Sequence, residues 1–330
     1  MLLLEKVHPS IQAAVDRVLA GANKTPTTVV RDFDGCEYHI RVERQQAAAA
    51  AAGEGEGDGN SAGGQADQQC CASVTVALRH TTPFNELDAH HNFDEVLSTL
   101  FPPPLRKFLK SDTFGRSSGE FVVEIRIPAA ASERTRCEAL QAAGQLRIWS
   151  YIPVFARQCE VYLTRPELVK PMLLHYHAGE EMLLFSHKGS FLVLVALRVA
   201  SKDEAVFTRH FLQTMMDAKK LQREISAAPA FAFDHGKVPD SMPKGMPVAC
   251  GSDPCVFWCS FQLFRRQMEP MEHLVETVTQ LVNFRSTLAY HIHAGRTYMH
   301  SMMRKRVEMS LQVLNRAKTK TTGKAKIALQ

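Results

Sequence analysis

The chain has 330 residues, of which 45% are hydrophobic and 22% charged, so it is long enough for two domains and apolar enough for a globular core. Its formal net charge of +5 is too small to define a nucleic-acid-binding protein by composition. The segment 1–6 becomes charged too early for a signal peptide, and no run reaches the ~20 apolar residues of a membrane span. Eight scattered cysteines then indicate reduced thiols, and a soluble protein of the cytoplasm is expected.

Residues 1–129 are predicted to form a first α/β module. An amphipathic helix over 10–19 precedes two strands, 27–33 and 38–42, joined by a tight turn at Asp34-Gly35. The Ala-, Gly- and acid-rich run 45–69 cannot bury enough apolar surface to fold, so it is expected to be a disordered insertion within a hairpin. The rest of this module is predicted as a strand over 72–78, a helix over 85–100 ended by three prolines, and a strand over 121–127.

Residues 130–268 are predicted to form a second α/β module of similar topology. It opens with a mostly helical bridge over 132–162, broken near Pro153. Short turns between apolar runs favour an antiparallel sheet covered on one side by a helix, which makes the fold class α+β. The predicted elements are strands over 170–176, 180–187, 190–199 and 255–264, and a helix over 202–224.

Residues 269–330 are predicted to form a long basic C-terminal helix and tail. From Met271 to Ala317 there is no proline and one glycine, and apolar residues recur at helical spacing. One helix of about 45 residues would be about 70 Å long, more than a small domain is wide. Its apolar side exceeds what two modules can cover, so the chain alone is expected to self-associate or to need a partner.

Catalytic signatures are nearly absent from the sequence. It contains no phosphate-binding glycine loop, dinucleotide fingerprint, nucleophile elbow or HExxH motif. The enzyme alternative is a cupin-like metal site of His175, His177 and Glu181, because histidines two apart on a strand share one face. The expected preceding glycine and a second histidine motif are missing, so a non-enzyme without cofactor or metal is favoured.

The basic C-terminal helix allows four interpretations. Its charges could form a solvated face, bind nucleic acid, lie on a membrane surface, or contact an acidic protein surface. No recognised nucleic-acid motif supports the second, and the Met/Leu positions suit a protein contact better than the third.

Several segments resemble one known family. Residues 281–293, 298–300, 303–304 and 311–317 closely resemble the C-terminal helix of the subunit 2 family of the actin-related protein 2/3 complex. Residues 1–5, 32–35 and 38–40 resemble the family's start and first hairpin, and 174–176, 181–182 and 207–220 follow its second module in order. The strength of the resemblance lies in the number and order of these segments.

The resemblance implies a non-catalytic scaffold subunit of a branched-actin nucleator. It implies pairing with subunit 4, assembly with the other subunits including the two actin-related proteins, and contact with the mother filament of filamentous actin. It implies no nucleic-acid binding and no membrane insertion. The location it implies is the cytoplasmic actin cytoskeleton, including cell projections.

The same resemblance implies a set of filament contacts. Actin is acidic on balance, so basic positions that match the family are the candidates, and such charges would act mainly on association rate and register. They are Lys219, Lys220 and Arg223 at the end of the second module's helix, and Arg296, Arg304, Arg306 and Arg316 on the C-terminal helix.

Overall fold

Two antiparallel sheets, packed with helices and followed by one long exposed helix, make up the protein, which confirms the α+β class. The computed structural model describes residues 9–19, 27–32, 35–44, 71–88, 92–109, 123–128, 131–221 and 228–317. The strands are β1 (Thr27–Arg31), β2 (Glu37–Arg44), β3 (Cys71–Arg79), β4 (Val123–Pro128), β5 (Met172–His177), β6 (Glu180–His187), β7 (Ser190–Arg198), β8 (Ala230–His235) and β9 (Val256–Leu263). The helices are α1 (Pro9–Leu19), α2 (Phe84–Asp88), α3 (Phe93–Leu100), α4 (Glu133–Gly144), α5 (Leu146–Thr164), α6 (Lys202–Leu221), α7 (Arg265–Met268), α8 (Met271–Val282) and α9 (Phe284–Ala317).

The first sheet is a meander in the order β1-β2-β3-β4. Ile40 of β2 lies opposite Val76 of β3, and both side chains are fully buried. Helix α1 packs on these strands, because Ile11 and Val15, four residues apart, put one apolar side into the same core. The predicted insertion 45–69 falls between β2 and β3 and lies outside the described residues.

The second sheet has the order β5-β6-β7-β9-β8, with every neighbouring pair antiparallel. Two-residue turns join β5 to β6 and β6 to β7, and each contains a glycine, Gly179 or Gly189, at a φ of 72°. The four predicted strands are confirmed to within two residues at either end. One face packs into the main core, and the irregular segment 236–255 covers the other face around Trp258.

The sequence prediction missed the edge strand β8. Alanine alternates with phenylalanine in this segment, and alanine carries little β preference. Its pairing depends on tertiary contacts: Phe231 lies opposite Phe261 of β9, with ring centroids 5.1 Å apart. Cross-strand aromatic pairs of this kind stabilise a strand that its local sequence only weakly favours.

The predicted break near Pro153 is wrong. Pro153 lies inside α5, and the bridge is interrupted at Gln145, directly after Gly144 ends α4. Proline removes one helical hydrogen bond, but fully buried Ile152 and Phe155 on either side hold this turn in the core. Glycine has low helix propensity, so the break falls directly after Gly144.

The helix predicted over 85–100 is two helices. The Asp88 carboxylate accepts a hydrogen bond from the Phe93 backbone N–H at 3.0 Å, and Asn92 adopts a φ of 22° before α3. The prolines end α3 as predicted, and a 3-10 helix, Pro103–Phe108, follows.

The C-terminal helix is also divided. The predicted long C-terminal helix is confirmed by α9, but a single turn residue, Asn283, separates it from α8. The Asn283 N–H still donates to the Thr279 carbonyl, and the Asn283 carbonyl accepts from Thr287. A contact from elsewhere lies at this junction: Arg147 of α5 donates to the Val282 carbonyl and to Asn283 Oδ1, each at 2.9 Å.

Arg147 joins three parts of the molecule. Besides the α8–α9 junction, its guanidinium lies 3.6 Å from the Asp32 carboxylate, which follows β1 in the first sheet. Burial lowers the pKa of Arg147, and Asp32 opposes that shift. Both sheets, α5 and α8 contribute to one continuous hydrophobic core, and the domain boundaries at 129 and 268 remain predictions. Six of the cysteines within the described ranges, Cys36, Cys137, Cys159, Cys250, Cys255 and Cys259, are free thiols.

We expect Arg147→Ala to lower the free energy of unfolding by about 3–5 kcal/mol, because it leaves buried acceptors and the Asp32 carboxylate without their donor. Urea denaturation followed by circular dichroism measures this loss. The matched control is Arg134→Ala, since Arg134 is 91% exposed and pairs only along its own helix with Glu138. Its effect should stay within about 0.5 kcal/mol, and equal effects of the two substitutions would contradict the assigned role.

Candidate interaction surface

The base of α9 is fixed on the second sheet. Leu288 and Ile292 are buried there, and the Phe284 ring meets Phe261 of β9 edge-on at 4.9 Å. Helix α6 packs beside it, with Phe211 stacked on His291 at 5.5 Å. The first two and a half turns of α9 are therefore part of the folded body.

A buried carboxylate anchors the same end of α9. Glu180 accepts hydrogen bonds from the Tyr176 hydroxyl at 3.1 Å, from the Arg198 backbone N–H at 3.0 Å, and from Arg285 of α9. His177 lies 3.6 Å from the same carboxylate. Burial and the nearby Arg285 lower the pKa of His177, so this imidazole is held neutral and Arg285 is the cation that pairs with Glu180.

Beyond Ile292, α9 leaves the body of the protein. Every side chain from 293 to 316 is exposed. Twenty-four helical residues extend about 36 Å at 1.5 Å per residue. Within the described ranges, no helix is both long enough and apolar enough to cross a membrane.

The exposed part of α9 carries two apolar stripes. The first stripe continues the buried side of Leu288 and Ile292 at three- and four-residue spacing, and the second runs along a neighbouring side. The first stripe consists of Met299, Met303, Val307, Leu311 and Leu314, and the second of Tyr298, Met302, Met309 and Val313. Exposed apolar side chains in this number on one helix are typical of a protein-interaction surface.

The four candidate arginines of α9 are distributed around the helix. In the order Arg304, Arg296, Arg306, Arg316, neighbours are about 80° apart around the axis, so the set spans about 240°. Arg296 precedes Met299 by three residues and so lies beside the first stripe. Arg306 lies between the two stripes, four residues after Met302 and seven after Met299. All four side chains are exposed, but one flat surface cannot contact them all.

The candidate residues at the end of α6 lie apart from this surface. Lys220 is exposed and its Nζ is 3.3 Å from Asp217 Oδ1. Hydrogen bonds from Gln213 and Lys220 lower the pKa of Asp217. Lys219 belongs to the same helical turn, and Arg223 lies outside the described residues. The α6–α9 contact at Phe211 is nine residues, or about 13 Å of helix, from Lys220.

The structure brings together only two of the three residues of the enzyme alternative. His175 Nε2 lies 3.8 Å from Glu181 and its Nδ1 lies 2.7 Å from Glu86 of α2, whereas His177 faces Glu180 instead. Glu181 is buried and accepts from the Ala249 backbone N–H at 2.5 Å, which secures the segment that covers the sheet. Across the described residues, no three His, Cys, Asp or Glu side chains are placed to hold a metal ion, so the alternative gains no support.

Comparison with known proteins adds an independent finding. The family model described as "Arp2/3 complex, 34 kD subunit p34-Arc" matches residues 86–321. Actin-related protein 2/3 complex subunit 2 of Schizosaccharomyces pombe is 31% identical over 147 residues, 44% of this chain and 45% of that protein. The subunit of the same name from Dictyostelium discoideum is 29% identical over 161 residues, 49% of this chain and 52% of its own length. Subunit 2B of Arabidopsis thaliana is 26% identical over 145 residues, 44% of this chain and 37% of that protein.

A match over residues 86–321 runs from within α2 through α9, and so includes β4, the whole second sheet and the exposed helix. The chain belongs to the family of the Arp2/3 complex 34 kD subunit, p34-Arc. The resemblance drawn from the sequence is thereby confirmed. The aligned segments span about half or less of the length of these curated relatives. All seven candidate filament contacts lie within the matched range, and the first hairpin lies outside it.

We expect the isolated chain to self-associate through the first stripe, and Met303→Lys with Val307→Lys to shift it toward monomer. Both side chains are more than half exposed, so the substitutions should leave the unfolding midpoint unchanged. Size-exclusion chromatography with light scattering measures the mass. Thr297→Lys with Gln312→Lys adds the same charge on a polar side of α9 and serves as the control. A monomeric parent chain at high concentration would contradict the expectation.

Proposed function

We propose that the protein is a non-catalytic scaffold subunit of the actin-related protein 2/3 complex, where it takes part in branched actin nucleation. The observation that carries this proposal is the exposed part of α9, whose apolar stripes need a cover that the described chain does not supply. Family membership supports the identity of the assembly, and the named relatives are subunits of that complex. The corresponding location is the cytoplasmic actin cytoskeleton, including cell projections.

The first stripe is proposed as the contact with subunit 4. An amphipathic helix is recognised by laying its apolar side against a second helix or into a groove, with anchors three and four residues apart. Met299, Met303 and Val307 have that spacing. Arg296, next to Met299, would then flank the subunit contact and fix its register.

The side of α9 away from the first stripe is proposed to contact the mother filament. Lys305 and Arg316, eleven residues apart and so about 20° apart around the axis, share that side, and Arg306 lies at its border with the first stripe. Three exposed cations suit an acidic filament surface. This division separates the two contacts, because a partner helix and a filament cannot occupy one side of α9.

Assembly is tested by a tagged pull-down of the full chain from native cytosol at moderate salt. The expected result is recovery of the two actin-related proteins and the smaller subunits, identified by mass spectrometry. Recovery of the chain alone, or with RNA, would overturn the proposed function. Met303→Lys with Val307→Lys should reduce recovery of subunit 4, since it charges the first stripe.

Charge reversal separates the two sides of α9. Lys305→Glu with Arg316→Glu should weaken cosedimentation of the assembled complex with filamentous actin about fivefold, whereas Arg296→Glu with Arg304→Glu should change it less than twofold. Both pairs change the net charge equally, so each controls for the other. The reverse outcome would show that the sides are assigned the wrong way round, and no effect of either pair would contradict a filament contact by α9.

The end of α6 is tested in the same assay. Lys219→Glu with Lys220→Glu should weaken pelleting with filaments by a similar factor while leaving the thermal midpoint unchanged, because Lys220 is exposed at a helix end. Lys202→Glu with Arg209→Glu, at exposed positions nearer the other end of α6, is the matched control. Unchanged pelleting would remove Lys219 and Lys220 from the filament contact.

A further inference from the structure

A groove runs between three helices at the end of α8 remote from α9. Helix α5 forms its floor, and α3 and the α7–α8 segment form its walls. Its volume is about 580 Å³, and its apolar lining includes Val96, Leu100, Leu163, Met268, Met271 and Leu274. Met271 is 37% exposed, and Leu274 at the base is buried. None of these residues belongs to either stripe of α9.

The rim of the groove is acidic although the whole chain is basic. Glu95 of α3, Glu160 of α5 and Glu269, next to α8, surround it, and Arg157 is a cation among its described lining residues. Glu160 is 63% exposed and pairs with Arg157 at 2.7 Å, and Glu269 is 50% exposed and pairs with Arg265 at 2.8 Å, so both pairs are largely solvated. Three carboxylates and two guanidinium groups leave the rim one net negative charge in a chain of net charge +5. Such a rim attracts a basic partner and repels an acidic one.

The walls of the groove determine which secondary structure a bound segment can have. All three sides are helices, whose backbone N–H and C=O groups are largely used within each helix. An extended peptide would find no strand edge there with which to pair. An amphipathic helix needs only an apolar trough for side chains at three- and four-residue spacing, and helices pack well into the space between other helices.

We propose that this groove is a docking site for an amphipathic α-helix of a partner protein, with an apolar side on α5 and lysine or arginine residues facing Glu95, Glu160 and Glu269. This site is separate from the α9 contacts assigned above and extends the protein's interactions to a partner on the opposite side of α8. The volume, apolar lining and acidic rim of the groove together favour a helix that presents two or three apolar side chains flanked by cations.

The test uses the full chain and a fluorescein-labelled helical peptide of about four turns, with leucines at three- and four-residue spacing on one side and lysines elsewhere. Fluorescence anisotropy should show saturable binding that weakens as sodium chloride is added. A peptide with glutamate in place of every lysine should bind at least about tenfold more weakly. Equal binding of the two peptides, or no binding of the lysine peptide, would overturn the proposal.

Variants locate the contact. Glu95→Lys, Glu160→Lys and Glu269→Lys together should weaken binding of the lysine peptide at least about tenfold. Glu133→Lys, Asp240→Lys and Glu308→Lys make the same charge change at exposed positions away from the groove and should alter binding less than twofold. Thr99→Trp, at an exposed rim position, should block the groove without a change of charge. If the peptide binds both groove variants as tightly as it binds the parent, and their thermal midpoints match, the groove is not the docking site.

Discussion

A pair of arginines at the base of the exposed helix determines how the parts of this molecule are arranged. Arg147 links the first sheet, α5 and the α8–α9 junction, and Arg285 links α9 to the buried carboxylate of Glu180 in the second sheet. Taking a guanidinium out of water costs several kcal/mol unless all its partners are in place. Each contact is therefore stable only when the others have formed, and the direction of α9 depends on the folding of both sheets.

The sequence predicts the elements whose cause is local. Helix α1 and the strands of both hairpins follow from residue periodicity and turn residues, and the structure has them within a few residues. The errors arise where distant residues override local preference. A turn at Asn283 interrupts a good helical pattern where Arg147, 136 residues earlier in the chain, binds, and buried neighbours keep Pro153 helical. Strand β8 exists because β9 offers it an edge and aromatic partners.

The candidate surface follows the same division. Basic and apolar residues of α9 are visible in the sequence, because a continuous helical period needs no tertiary information. Which of these residues face a partner can be assigned only in the structure, because the burial of Leu288 and Ile292 fixes the rotation of the helix about its axis. Glu180 and Arg285 are 105 residues apart, and the acidic groove draws its walls from α3, α5 and α8. No sequence period connects residues so distant, so both features appear only in the folded chain.

The free length of α9 makes its rotational setting vulnerable to insertions and deletions. Between Ile292, which is buried in the body, and Met299, where the first stripe begins, only the helix itself transmits orientation. One residue added in that interval turns every later side chain by about 100°, and two bring nearly the opposite side forward. An insertion of seven residues restores the direction of the later side chains to within about 20° but moves the stripes outward by about 10 Å. Length in this short interval is thus under stronger constraint than the identity of most of its side chains.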